Sequence, residues 1–164
     1  MMLEMSADEL FEYFQANAIC ESLHRADVEV LHLFLKELRL KKGDVISELG
    51  DIGDSLFFIL KGKVTLTVND GKNDLEVGCQ GPGNLIGEMS FFDRKPRMLK
   101  MSAKSKEVCL LELNRAMYDR LKVEHPYIAV NLVENAVVSL DHLIRSMSHN
   151  VSHLKHYMTG FGRH

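Results

Sequence analysis

The sequence predicts a mainly β protein: an antiparallel β-roll, or jelly-roll, of about eight strands, with N-terminal helices and a long C-terminal helix that serves dimerisation. Two observations carry this. Between residues 34 and 113 apolar and polar residues alternate, and the turn-forming stretches "KKGDV", "GDIGD", "LKGK", "NDGKND" and "GPGN" recur at intervals of roughly 8 to 12 residues. From Pro126 to Met158 there is no Gly and no further Pro, and apolar residues follow a heptad spacing. The division expected is 1–33 for the first helices, 34–113 for the roll and 114–164 for the last helices.

Composition narrows the class. A chain of 164 residues, 46% of them hydrophobic, is the size of one domain that can fill its own core. Its 20 Lys and Arg against 23 Asp and Glu give a formal charge of -3, which offers no general attraction for nucleic acid or an anionic membrane. The run "LFFIL" at 56–60 is far too short to span a bilayer, and "MMLEMSADEL" lacks a basic stretch followed by a long apolar one, so a cytoplasmic location without membrane attachment is expected. Cys20, Cys79 and Cys109 are odd in number and lack CxxC spacing, which predicts reduced, structural thiols.

In chain order, Ser6 with Glu9 forms a capping box that opens a helix with Leu10, Phe11 and Phe14 on one face. A second helix begins near Ala26 and Asp27 and buries Val28, Leu31 and Leu35. Within the roll, "KVTLTV" alternates most cleanly, with Val64, Leu66 and Val68 inward and Thr65 and Thr67 outward. Closing such strands into a roll removes edges that would otherwise pair with neighbours. Asn114 is an N-cap for a helix carrying Ala116, Met117 and Leu121, and Pro126 restarts a helix, since a first turn tolerates its missing N–H. In the helix 126–158, Val133, Val137, Leu140, Ile144, Met147, Val151, Leu154 and Met158 are spaced 4, 3, 4, 3, 4, 3, 4. A second row, Ala129, Ala136 and Leu143, can pack on the chain's own roll, leaving the heptad row over 133–158 to a second copy in a coiled-coil homodimer.

The stretch "LIGEMSFFDRKPRM", residues 85–98, carries the chemistry. Gly87 lets the chain turn sharply into a short helical turn, whose first amides, those of Glu88, Met89 and Ser90, lack intrahelical acceptors and form a seat for a phosphate or carboxylate. Arg97, held by Pro96, can close on the same anion with two parallel charge-assisted bonds. Glu88 cannot bind the anion but suits a sugar hydroxyl beside it. One anion, one sugar and an apolar roll describe a nucleotide pocket; the plainer alternative is a surface ion pair between Glu88 and Arg97.

The succession of two helices, "KGDVISELGDIGDSLFFILKGKVTLTV", "IGEMSFFDRKPRMLKMSAKSKEVCLLELN", a short helix and a long one resembles the cyclic nucleotide-binding domain family, over nearly the whole chain. The resemblance implies that residues 85–98 are a phosphate-binding cassette. In it, Gly87, Glu88, Met89 and Ser90 give amides to the cyclic phosphate, Glu88 takes the ribose 2'-hydroxyl, Arg97 pairs with the exocyclic oxygens and Met98 adds an amide. Val64 and Val77 stand where the family has an apolar wall facing the base, and the branch of bacterial catabolite activators implies further base contacts near Leu143 and, from a partner copy, Ile144. The function implied is a non-enzymatic sensor domain for a cyclic nucleotide, cyclic AMP ahead of cyclic GMP, signalling through the C-terminal helix and the dimer. The chain departs from the family in having Met98, Leu99 and Lys100 where small or hydroxylated residues usually stand, which removes a side-chain hydroxyl contact. These positions favour the alternative of a decayed, ligand-free fold acting as a dimeric interaction module. Only six residues follow Met158, so no winged helix-turn-helix, and no direct DNA binding by this chain, is expected.

A metal-dependent enzyme on a similar roll needs histidines on its strands, yet none lies between His32 and His125, so no metal or cofactor is expected. His149, His153 and His156 have helical spacing that suits zinc, but with His142 they fall on outer heptad positions and read as a solvated face. Phe91 and Phe92 read as core plugs, Asp141 and Arg145 as an exposed helix pair, and the basic residues from Arg94 to Lys106, Arg97 excepted, as solvated.

Overall fold

The computed structural model describes the backbone of residues 3–69 and 71–160; in the last helix, side chains are described as far as 145, and then for 148 and 149. Two helices, α1 (Ala7–Ala16) and α2 (Arg25–His32), precede eight strands. These are β1 (Lys36–Lys41), β2 (Val45–Ser47), β3 (Ser55–Lys61), β4 (Val64–Asn69), β5 (Asp74–Gln80), β6 (Leu85–Ile86), β7 (Lys100–Ala103) and β8 (Glu107–Asn114). The short α3 (Glu88–Asp93) interrupts the strands, and α4 (Arg115–Glu124) and α5 (Pro126–Gly160) follow them. The strands form two four-stranded antiparallel sheets, in the orders β1-β8-β3-β6 and β2-β7-β4-β5, facing each other as a roll.

The helix ends obey local chemistry. The Ser6 hydroxyl accepts from the Glu9 N–H at 3.1 Å while Glu9 accepts from the Ser6 N–H at 2.7 Å. Asn114 accepts from the Met117 N–H at 2.9 Å and so starts α4. Helix α2 stops at His32, so Leu35 is buried beyond its end and not on its face. Phe11 is only half-buried, under the Arg25 guanidinium, 4.6 Å from the ring centroid.

There are two apolar cores. Phe57, Ile59, Val64, Ile86, Met101, Val108 and Leu110 fill the space between the sheets. Leu56, Phe58, Leu111 and Leu113 point the other way, into a core shared with Leu10, Phe14, Leu31, Leu121 and Leu132 of the helices. Strands β3 and β8 are thus apolar on both faces, which the unbroken run "LFFIL" reflects. Helix α5 lies on this helical core through Ala129, Leu132 and Ala136, while Val133, Val137 and Ile144 are exposed. Leu143 of the expected inner row lines a cavity and is half-buried. Met147, Val151, Leu154 and Met158 of the heptad row, and His153 and His156, lie outside the residues whose side chains are described.

Cys20 and Cys109 are buried, Cys79 is exposed, and none forms a disulfide. Burial pushes the Cys20 and Cys109 thiols up to about 12, which keeps both protonated and unreactive at neutral pH. Among the described residues no helix is long and apolar enough to cross a membrane.

Candidate functional site

The centre of the site is the turn from β6 into α3. Gly87 sits at φ +85°, where a side chain is strained, and it aims the chain so that the Phe91 N–H is the first in the turn to return to it, donating to the Gly87 carbonyl at 3.3 Å. The amides of Glu88, Met89 and Ser90 precede that bond, as in any first helical turn. Ser90 braces the turn: its buried hydroxyl accepts from the Gly53 N–H at 2.7 Å and donates to the Lys95 carbonyl at 2.6 Å. Arg97 is fixed through its backbone, donating its N–H to the Asp51 carbonyl at 2.7 Å and accepting from the Gly50 N–H at 2.9 Å.

The Arg97 side chain is half-buried and leans on the Gly87 carbonyl at 3.4 Å. It forms no salt bridge among the described residues, so the expected alternative, a surface pair with Glu88, is not what the chain builds. Burial lowers its pKa, and the charges of Asp51 and Glu88 pull the other way. Glu88 is 8% exposed. Burial raises its carboxyl above the usual carboxylate range, against its own backbone N–H, the Ser139 hydroxyl and the Arg97 charge. Ser139 of α5 donates to the Glu88 Oε1 at 3.2 Å.

These groups open onto one cavity of about 790 Å³, a volume that accommodates a nucleotide. Gly87, Glu88, Met89, Ser90, Arg97 and Met98 all line it, with Leu66 and Met101 from the sheets and Leu143 from α5. Of the bulky departures, Met98 lines the cavity but is 79% exposed, Leu99 is half-buried in its lining, and Lys100, 3.9 Å from Asp74, is not part of it; the cavity of about 790 Å³ remains with all three in place.

Two expected wall residues are elsewhere. Val64 is fully buried in the core between the sheets and does not line the cavity. Val77 is 53% exposed, and Leu75 and Cys79 on either side of it are exposed too, because β5 is the edge strand of its sheet and none of its residues is buried; at a bulge, Leu66 pairs with Gly78 and Thr67 with Glu76, which leaves Val77 without a partner across the strand. Ile144, expected to reach the cavity of a partner copy, is exposed on α5 and does not line the cavity of its own chain. The wall is instead more polar: Asn131, Asn135, Ser139 and His142 of α5 face the cavity, so His142 is not part of a purely solvated row. Sequence reading missed them, although their spacing of 4, 4 and 3 marks one helical face.

Gly53 is the tightest point behind the arginine. A Cβ there would lie 2.5 Å from the Arg97 Nη2 and 3.1 Å from the Phe91 backbone nitrogen. Gly53→Ala is therefore expected to push the guanidinium out of place at little cost to the fold, because the end of a long side chain yields more easily than backbone. An anionic ligand should then bind at least about tenfold more weakly, with an unfolding midpoint close to wild type. Arg115, the first residue of α4, ties the same region to the helices: it donates to the Gly53 carbonyl at 3.0 Å and the Phe91 carbonyl at 2.5 Å. Its pairing with these two carbonyls is legible only in three dimensions.

A family model described as the cyclic nucleotide-binding domain matches residues 37–125, more than half of the 164. The chain belongs to the cyclic nucleotide-binding domain family. The match runs from β1 through α4 and includes every cassette residue named above. Among curated relatives of this domain, a cyclic nucleotide-gated potassium channel of Rhizobium etli is 36% identical over 95 residues, 58% of this chain and 25% of the channel. A cGMP-dependent protein kinase of Toxoplasma gondii is 29% identical over 101 residues, 62% of this chain and 10% of the kinase. The chain thus spans a quarter or less of the curated relatives it matches. A cyclic nucleotide-binding domain from Methylobacillus flagellatus shares the fold with a TM-score of 0.76 at 22% identity, covering 86% of this chain and 82% of that one. The catabolite activator protein of Thermus thermophilus aligns with a TM-score of 0.67 at 26% identity, covering 81% and 61%.

Proposed function

We propose that this cyclic nucleotide-binding domain is a non-catalytic sensor that takes a cyclic nucleotide into the cavity beside Arg97 and passes its occupancy to α5. The observation that carries the reading is the convergence of a half-buried guanidinium, without an ion pair among the described residues, and the opening amides of α3 on one cavity, with a buried carboxylate alongside. In it, the amides of Gly87, Glu88, Met89, Ser90 and Met98 and the Arg97 fork hold the cyclic phosphate, and Glu88 holds the ribose 2'-hydroxyl. Cyclic AMP is the expected guest ahead of cyclic GMP. The Asn135 side-chain amide makes no hydrogen bond among the described residues, faces the cavity, and offers the donor and acceptor that an adenine edge takes. Leu143 supplies apolar cover for the ring.

The exposed row Val133, Val137 and Ile144 on α5 supports a homodimer through 133–158, with the signal carried as a ligand-biased choice between two helix arrangements. A cytoplasmic location goes with this reading, and the formal charge of -3, which attracts neither polyanion, supports a domain without direct contact to DNA or an anionic membrane. Titration calorimetry with cyclic AMP and cyclic GMP tests the ligand: saturable binding in the micromolar range or tighter is expected for at least one. No heat with either shifts the function to a ligand-free dimeric interaction module. Light scattering tests the dimer, and a monomer mass at high concentration rules it out.

A further inference from the structure

The long helix does more than cover the cavity. Ser139 and Glu88 are 51 residues apart, on α5 and α3, and their side chains meet at 3.2 Å. A serine inside a helix can turn its hydroxyl back onto its own helix; this one points across to a buried carboxylate. Among the described residues no cation forms an ion pair with Glu88, and Arg97, whose charge acts on it, gives its hydrogen bond to the Gly87 carbonyl. The serine hydroxyl is therefore the side-chain donor that fixes which way the carboxylate faces. A carboxylate accepts several bonds; with the Ser139 hydroxyl on Oε1 and its own backbone N–H also bonding the carboxylate, acceptor capacity remains for a further donor inside the cavity.

We propose that Ser139 is the positioning residue for ribose recognition: it holds Glu88 so that one oxygen is presented to the 2'-hydroxyl of the bound nucleotide. This rests on the cyclic nucleotide reading above and adds to it that the sugar site is built by two elements, one of which is the signalling helix. The Ser139 contact exists only while α5 lies on the cassette, so the helix position and the preference for a ribose over a deoxyribose are linked. By reciprocity, a ligand with a 2'-hydroxyl stabilises the docked helix more than one without it.

The test is calorimetry on the full chain, with the nucleotide that binds and with its 2'-deoxy analogue, for wild type, Ser139→Ala and Ser139→Thr. Ser139→Ala is expected to weaken the ribose form by about fivefold to tenfold and the 2'-deoxy form by less than about twofold, with Ser139→Thr close to wild type. A merely structural role for the serine lowers both affinities together. Equal losses for the two ligands, or no loss for either, overturn the role of Ser139 and leave the cavity's function standing. Wild type silent with both nucleotides overturns the function itself, and this inference with it.

Discussion

Arg97→Ala is expected to weaken cyclic nucleotide binding by about a hundredfold or more, since two charge-assisted bonds of roughly 1.5 to 3 kcal/mol each are lost together. The same change should leave stability within about 1 kcal/mol of wild type, because the guanidinium forms no salt bridge among the described residues and the backbone bonds to Asp51 and Gly50 do not need its side chain. A residue kept half-buried, at a desolvation cost, with so little holding it inside the protein is placed for something outside it. Arg97→Lys keeps the charge but loses the planar fork, so an intermediate loss of about tenfold is expected. Calorimetric affinities for the two variants, with urea midpoints alongside, decide the matter. Unchanged affinity in Arg97→Ala removes the anion seat on which the functional reading stands.

Phe91→Ala should destabilise the fold by about 3 to 5 kcal/mol, read as a shift in the denaturant midpoint at constant slope. Its ring is fully buried, edge-on to Phe92 at 5.2 Å and to Tyr118 at 5.4 Å, with the Arg115 guanidinium 4.4 Å above it. Its carbonyl takes an Arg115 bond as well. The side chain is thus the bolt between the cassette and α4, and its loss leaves a cavity that neither element can close alone. Phe92 meets the same tyrosine edge-on at 5.8 Å but is partly exposed, so Phe92→Ala should cost only about 1 to 2 kcal/mol. Equal costs for the two phenylalanines contradict this division of labour.

What the sequence conveys well is what short-range chemistry decides. The Ser6 capping box, the Asn114 cap, the Pro126 restart and the sharp turn at Gly87 need only a few neighbouring residues, and the structure has each of them. The roll was legible too, because alternation and turn residues set strand boundaries locally. Side-chain destinations were harder. The resemblance implies a wall position for Val77, but it lies on β5, an edge strand that buries none of its residues and whose register a bulge shifts against its partner strand. The polar part of the α5 wall is hidden for a related reason. Leu143 lines the cavity, but that Asn135 and Ser139 face it too depends on how a helix rotates against a roll many residues away. The bulk at Met98 leaves the cavity open, since the residue lines it yet is 79% exposed.

Strands β3 and β8 send alternate side chains into the roll interior and into the helical layer. Neither layer can melt while the other stays intact, because they share these two strands as a common wall. Heating should accordingly give a single calorimetric transition whose van't Hoff and measured enthalpies agree, with no partly unfolded species in which the barrel survives without its helices.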